Sequence, residues 1–270
     1  MGTVPRPDFL ELPPRSHKPR SRGLTCAVDG GLPLAEVAAL LDAAGPHLDV
    51  WKLGWGTAYL DPRVGEKLEL MAHEGILACP GGTLLELAAR QGRVEECLEW
   101  AASAGFRAVE VSEGLGPLGR PAKAALLRRA ALDFTVFAEV GAKDPAVPVD
   151  AGTWARAACA DLDAGASWVV AEGRESGTVG VYGPDGSVRA GVVEALVTAV
   201  GIDHIIFEAP RKDQQAWFIR TLGPDVNLAN VAPREALGLE ALRLGLRADT
   251  AAPARQMALV APEARVRWRI

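Results

Sequence analysis

The chain has 270 residues, a length that fits one large domain, and its 49% hydrophobic and 23% charged residues are an ordinary globular balance. The formal net charge of −5 argues against a nucleic-acid partner, which would require a basic face. The charge does not exclude a small anionic ligand, because a pocket on an acidic protein can be locally positive.

The first segment of the chain, residues 1–20, is rich in proline, arginine and charge. It has no hydrophobic signal core, so we expect a disordered N-terminal tail. No apolar run approaches the ~20 residues of a transmembrane helix, so we expect no membrane association and a cytoplasmic protein. The four cysteines are widely spaced without a CxxC pair, which favours buried, reduced thiols.

Short apolar runs recur along the chain at intervals of roughly 25–35 residues, the spacing of repeated βα units. They are continuous rather than alternating, as expected of parallel strands buried on both faces. The predicted strands are, in chain order, Leu24–Val28, Val50–Leu53, Ile76–Cys79, Ala108–Val111, Phe134–Ala138, Trp168–Ala171, His204–Phe207 and Val226–Leu228.

Helix-like segments separate these runs, and several of them stop at a glycine. They are Leu34–Ala44, Leu84–Ala89, Val94–Ala102, Pro121–Leu132, Thr153–Ala164 and Ala190–Val200. Right-handed crossovers make a closed barrel the simple way to place eight parallel strands. We therefore predict an α/β fold, a single (β/α)₈ TIM barrel over residues 21–250, followed by a short C-terminal extension over 251–270.

A charged residue closes six of the apolar runs. These residues are Asp29, Lys52, Glu110, Glu139, Glu172 and Glu208. Because the carboxyl ends of all strands meet at one face of a parallel barrel, we expect these charges to line a single pocket. Such a pocket indicates an enzyme that acts on a small anionic substrate.

Three of the strand-end motifs offer groups that suit an anion. Lys52 lies inside an apolar run, where it either binds an anion or forms an ordinary salt bridge in a turn. The Gly81–Thr83 segment opens a helix, whose N–H groups favour anions, although a threonine cap explains the same residues. Arg174 is a bidentate donor for carboxylate or phosphate, or the partner of a structural pair.

Three glutamates end consecutive strands, a pattern that suits a hard cation. Glu110, Glu139 and Glu172 predict a Mg²⁺ site, although each of them alone could be a supporting partner only. Loops after the last two strands of a barrel often bind phosphate, where we expect donors from Lys212, Gln215 and Asn230. The histidines fall in none of these motifs, which argues against a zinc site.

These motifs resemble the phosphosulfolactate synthases of coenzyme M biosynthesis over roughly residues 21–250. The matching stretches are Arg22–Thr25, Asp29, Gly31–Pro33, Lys52–Thr57, Pro80–Thr83, Glu139–Gly141, Glu172–Gly177, Phe207–Gln215, Val226–Asn230 and Leu242–Thr250. The resemblance implies a TIM barrel and Mg²⁺-dependent, lyase-class addition of sulfite to phosphoenolpyruvate. The implied product is (2R)-2-phospho-3-sulfolactate.

The resemblance also assigns roles. A lysine just after strand five is the family's proton donor, and by motif it matches Lys143. We expect Lys143, Lys52 and Arg174 to be catalytic and Glu110, Glu139 and Glu172 to hold the metal. The expected substrate-binding residues are Asp29, Gly81, Gly82, Thr83, Glu208, Lys212, Gln215 and Asn230. We also expect a homo-oligomer whose partners are the small anionic substrates.

The chain departs from the family pattern after strands one, four and five, and after strand four the family's Ser-Asp-Gly reads Ser112-Glu113-Gly114-Leu115. The family commonly has lysine where this chain has Gly30, and its lysine pair after strand five is reduced to Ala142 and Lys143. The loss of two positive charges keeps open a barrel that adds a different nucleophile to phosphoenolpyruvate. A non-catalytic relative of the heat-stress type is the other alternative.

Overall fold

The computed structural model describes residues 7–116, 118–141 and 148–251. Eight parallel strands form one sheet in the order β3-β2-β1-β8-β7-β6-β5-β4. The strands are β1 (Thr25–Asp29), β2 (Val50–Leu53), β3 (Leu77–Pro80), β4 (Ala108–Val111), β5 (Thr135–Val140), β6 (Trp168–Ala171), β7 (Ile205–Glu208) and β8 (Leu228–Val231). The end strands β3 and β4 lie side by side, so the sheet is a nearly closed barrel and the predicted fold is confirmed.

Helices connect the strands and cover the outside of the barrel. They are α1 (Leu34–Ala44), α2 (Thr57–Leu60), α3 (Val64–His73), α4 (Gly82–Arg90), α5 (Val94–Ala104), α6 (Arg120–Ala130), α7 (Ala151–Asp163), α8 (Ala190–Val200), α9 (Lys212–Leu222) and α10 (Ala236–Arg243). Four of these, α2, α3, α9 and α10, are absent from the sequence prediction. Helix α3 shows why, because its buried face includes a lysine, Lys67, which interrupts the apolar period.

The strands alternate between two cores. Small and apolar side chains point into the barrel, among them Cys26, Val50, Phe137 and Ile206. The intervening side chains pack outward against the helices in two larger clusters. This period of two decides which strand-end charges enter the barrel and which ones face the helices.

Part of the predicted disordered tail is held against the barrel. Arg15 forms salt bridges with Asp225 and Glu240, and Arg20 pairs with Asp49 at 3.0 Å. These partners are mostly buried at the amino-terminal end of the barrel, where the pairs tie the incoming chain down. Of the predicted C-terminal extension only Ala251 lies within the described residues. Within the described ranges, no helix is long and apolar enough to cross a membrane.

Candidate active site

A cavity of about 310 Å³ opens at the carboxyl ends of the strands. Its wall contains five of the six strand-end charges that the sequence predicts to converge, together with glycines from the loops. The lining residues are Val28, Lys52, Gly54, Trp55, Gly81, Gly82, Thr83, Glu110, Gly114, Leu115, Glu139, Glu172, Arg174, Glu175, Glu208 and Asn230. The predicted convergence of charges on one pocket is confirmed for these five.

Asp29 is the strand-end charge that does not line the cavity. It is fully buried, and its carboxylate accepts hydrogen bonds from the Gly31 and Leu32 amides at 2.7 Å and from the Trp51 indole at 3.2 Å. Along β1, Cys26 and Val28 point inward, so Asp29 points outward to the helices. In this arrangement Asp29 fixes the turn after β1 and does not reach the cavity.

Lys52 lies at the centre of the cavity wall between two glutamates. Its Nζ atom is 3.0 Å from the Glu110 carboxylate and 3.5 Å from that of Glu208. Burial lowers the pKa of the ammonium, but the carboxylates of Glu110, Glu208 and Glu139 raise it more, so the pKa stands well above its usual value. Lys52 is therefore a permanent, fixed cation at neutral pH.

Glu110 joins Lys52 to the start of helix α4. Its second carboxylate oxygen accepts a hydrogen bond from the Gly82 amide at 3.1 Å. A Cβ atom at Gly82 would lie 2.9 Å from the Ser112 Cβ atom, so only glycine allows this close approach. The predicted anion-binding segment Gly81–Thr83 therefore lines the cavity at a helix start, with one of its amides already bonded to a carboxylate.

Glu208 joins Lys52 to the loop after β6. Its other carboxylate oxygen accepts hydrogen bonds from the Gly173 and Arg174 amides, each at 2.9 Å. The Arg174 amide also donates to Glu172 at 2.8 Å. These contacts fix the backbone that carries the Arg174 side chain into the cavity wall.

Strained backbone is concentrated around the cavity. In the described part of the chain, the non-glycine residues with positive φ are Trp55, Arg174 and Asn230, with φ of 53°, 56° and 55°. All three line the cavity. Asn230 lies within a register shift in the pairing of β1 with β8, and such an irregularity re-aims a side chain. Strain that gathers at one cavity and nowhere else in these ranges points to function.

The charge of the cavity wall favours a bound cation. Among the residues that the structure describes, five glutamates line it against two cations, Lys52 and Arg174, a balance that repels an anionic substrate. Across residues 7–116, 118–141 and 148–251, no group of three His, Cys, Asp or Glu side chains forms a metal cage. Mg²⁺ rarely uses such a cage, since it is usually held by one or two carboxylates together with substrate oxygens and water. Glu139 and Glu172, both in the wall, are a donor set of this kind.

Three other predicted site residues lie elsewhere. Lys212 is half-exposed and pairs with Asp249 at 2.9 Å, and the buried Gln215 donates to the Ala209 carbonyl at 3.0 Å. Neither of them lines the cavity, so the structure does not bring them to the other candidates. Lys143 lies outside the described residues, and its role stays a prediction.

Several residues of the site were missed in the sequence. Trp55 and Glu175 line the cavity within the Lys52–Thr57 and Glu172–Gly177 stretches, but the sequence assigned neither of them a role, and Leu115 lines it as well. Behind the wall, Lys123 donates to the Glu139 carbonyl at 2.7 Å. Glu86 accepts hydrogen bonds from the loop after β4, including the Leu115 amide at 2.7 Å. For Lys123 and Glu86, the only signal in the sequence is a charged residue on the buried side of a helix.

The sequence matches known enzymes along almost its whole length. The model of the family described as (2R)-phospho-3-sulfolactate synthase (ComA) matches residues 13–249. The phosphosulfolactate synthase of Methanothermobacter thermautotrophicus is 41% identical over 249 residues, which cover 90% of this chain and 96% of that protein. The phosphosulfolactate synthase of Bacillus subtilis is 38% identical over 247 residues, covering 90% and 98%.

Solved structures share the fold at much lower identity. The YdjI aldolase of Escherichia coli has a TM-score of 0.52 and 12% identity, covering 92% of this chain and 94% of that one. The dihydrodipicolinate synthase of Agrobacterium tumefaciens has a TM-score of 0.52 and 14% identity, covering 89% and 79%. At such identities these similarities support the barrel fold alone.

Proposed function

We propose that this chain, which belongs to the (2R)-phospho-3-sulfolactate synthase family, adds sulfite to phosphoenolpyruvate and forms (2R)-2-phospho-3-sulfolactate. The observation that carries the proposal is the fixed ammonium of Lys52 at the centre of a strained, charged cavity. A cation there offsets the repulsion between two anions that must come together.

The reaction forms a C–S bond and a C–H bond, and it breaks the C=C π bond of phosphoenolpyruvate and the bond that holds the donated proton on its acid. The sulfite sulfur attacks the methylene carbon of phosphoenolpyruvate, a C–S bond forms, and the π electrons of the C=C bond move into the carboxylate. A proton is then delivered to the carbon that bears the phosphate. Neighbouring carboxylates hold the pKa of Lys52 well above its usual value, so it is a weaker acid than an ordinary lysine. Lys52 therefore binds and orients the anions, and the proton is assigned to Lys143.

Arg174 supplies the second cation of the described wall. Its backbone is fixed by the Glu172 and Glu208 carboxylates, so the guanidinium starts from a defined position. A planar guanidinium binds carboxylate or phosphate through two parallel hydrogen bonds. Lys52 and Arg174, from two sides of the cavity, hold the anionic phosphoenolpyruvate in one orientation. Fixing this orientation in advance removes a large part of the activation barrier of the addition.

We further propose that the reaction depends on Mg²⁺, held by the predicted ligands Glu110, Glu139 and Glu172 together with substrate oxygens. Glu110 also accepts hydrogen bonds from Lys52 and from the Gly82 amide. When bound, Mg²⁺ supplies a counter-charge for the negative charge that develops on the substrate carboxylate. The excess of glutamates in the wall supports this proposal.

The alternative is a different nucleophile, and Gly30 is the residue in the described chain that favours it. Glycine at this position leaves the mouth of the cavity without the cation that the resemblance leads one to expect. A non-catalytic relative is disfavoured, because five predicted charges are retained around one strained cavity.

The test is incubation of the purified protein with phosphoenolpyruvate, Mg²⁺ and a panel of nucleophiles, with products read by mass spectrometry. A sulfonate product with sulfite supports the proposal, and its loss in Lys52→Met ties the activity to this cavity. Consumption of phosphoenolpyruvate with another nucleophile only would replace sulfite. No consumption with any nucleophile would favour the non-catalytic alternative.

Localisation and assembly remain proposals of ours: a cytoplasmic homo-oligomer. The location is proposed from the free cysteines, and the assembly is carried over from the family resemblance. Light scattering on the purified protein measures the oligomeric state directly, and a monomeric mass would contradict the assembly.

A further inference from the structure

Trp55 lies against the backbone of Gly30 at the mouth of the cavity. A Cβ atom built on Gly30 would overlap the indole ring, with the Trp55 Cε3 atom only 2.6 Å away. The backbone at Gly30 does not have a positive φ, so side chains are compatible with its conformation. The indole, and not backbone geometry, therefore occupies the space that a side chain at position 30 would take.

The backbone of Trp55 is strained and firmly held. Its φ of 53° is unusual for a bulky residue. The neighbouring backbone fixes this conformation, since the Gly54 amide donates to the Asp29 carbonyl at 2.8 Å and Thr57 Oγ1 donates to the Gly54 carbonyl at 2.7 Å. A strained conformation that its surroundings enforce is typical of residues that contact a ligand.

Folding does not explain a tryptophan at this position. The side chain is 63% exposed, so its apolar surface contributes little to the core. It lines the cavity nonetheless, and Leu115, another exposed apolar side chain, lines it as well. The Trp55 indole, which is held at a charged cavity in a costly conformation, therefore gains its contact only when a ligand is bound there.

We propose that Trp55 contacts bound phosphoenolpyruvate and that the residue at position 30 sets the position of its indole, so that the two form a specificity-determining pair. The indole covers the planar enol and methylene part of the substrate, while Lys52 and Arg174 bind its charged ends. This inference deepens the proposed function and rests on it. According to this inference, the cavity selects its substrate at the mouth by steric contact with the Trp55 ring.

The first measurement is acrylamide quenching of tryptophan fluorescence with and without phosphoenolpyruvate, in the absence of a nucleophile. The substrate should protect tryptophan in the wild type, and Trp55→Phe should lose that difference. Leu60→Ala is the matched control, because Leu60 is 77% exposed on the following helix and does not line the cavity. It should keep the wild-type protection.

The second measurement is a double-mutant cycle on kcat/KM. Trp55→Ala should lower kcat/KM by about tenfold, the size of a lost aromatic contact. Gly30→Ala should lower it similarly by pushing the indole aside, and the double variant should be no worse than Trp55→Ala alone, because the two act as one unit. Additive losses, or Gly30→Ala that keeps full protection by phosphoenolpyruvate, would overturn the pairing.

Calorimetric titration with phosphoenolpyruvate distinguishes a failure of the Trp55 contact from a failure of the proposed function. If phosphoenolpyruvate binds the wild type without protecting tryptophan, the Trp55 contact is wrong while the proposed function stands. If it does not bind at all, with or without Mg²⁺, the proposed function fails and this inference fails with it. Thermal unfolding of each variant should remain close to the wild type, since Trp55 is exposed.

Discussion

The Lys52 ammonium lies 3.0 Å from the Glu110 carboxylate, and this pair reaches from β2 to β4 across the intervening strand β3. On its other side Lys52 contacts Glu208 at 3.5 Å. One cation thus links strands that are far apart around the barrel, and all three side chains are mostly buried. Stability and activity are therefore expected to depend on the same residue.

Lys52→Met should lower both stability and turnover. Removing one partner of a buried pair leaves uncompensated charge, which typically costs about 3–5 kcal/mol. Loss of a fixed cation from the site should reduce kcat by ~10²-fold or more. Lys67→Met is the matched control, because Lys67 is also buried and paired, with Asp61 on the outer side of the barrel. Comparable activity loss in both variants would show that the effect is structural.

The charge of Lys52 should be constant over the working pH range. Its folded-state pKa is raised above the unfolded value, so the stabilisation is fully present below the unfolded pKa of about 10.4 and is lost only as pH rises through the higher folded pKa. The difference in unfolding free energy between the wild type and Lys52→Met should not fall between pH 6 and pH 9, as denaturant titrations can measure. A decline within that window would show that Lys52 titrates near neutrality.

Strand periodicity accounts for much of what the sequence predicts and for one error. Glu110, Glu139 and Glu208 occupy inward positions of their strands, so counting apolar runs was enough to bring them together. Asp29 also ends a strand, but it stands one residue after the inward Val28, and the same period turns it to the helices. Which face a strand-end residue occupies could thus have been read from alternation within the strand.

The loops are harder to predict than the strands, because tertiary contacts fix their shape. Trp55 and Arg174 enter the cavity through positive φ values that no residue preference signals. Lys212 and Gln215 belong to a stretch that matches the family in the resemblance, yet helix α9 begins at Lys212 and turns both away from the cavity. Both side chains are of a type that can bind an anion. Whether they reach the cavity depends on where the preceding strand, β7, ends.

Removal of divalent metal should abolish activity. The described part of the wall has five glutamates and two cations, so two anionic substrates need a further positive charge to bind together. Excess chelator should eliminate product formation, added Mg²⁺ should restore it, and Glu139→Gln and Glu172→Gln should raise the Mg²⁺ concentration for half-maximal activity. A direct titration of Mg²⁺ by calorimetry gives a readout besides turnover. Full activity in excess chelator would rule out the metal.

Lys143→Ala should lower kcat by ~10²-fold or more, the usual size for loss of a general acid, while phosphoenolpyruvate affinity changes less. Lys143 lies outside the described residues, and the role comes from the resemblance. The check is kcat and KM for the variant beside calorimetric binding of phosphoenolpyruvate. A near-wild-type kcat would move the proton to another group.

Sulfite affinity should be weak and strongly salt-dependent, because a dianion is attracted through a wall with few cations and exposed charges are screened by salt. Position 30 tests this, but the indole of Trp55 fills the space beside Gly30, so a lysine there adds volume as well as charge. Gly30→Ala is the control that adds volume alone. Relative to Gly30→Ala, Gly30→Lys should lower the KM for sulfite, and the gain should shrink as salt is raised. Equal KM values at low salt in the two variants would show that charge at this position does not hold the nucleophile.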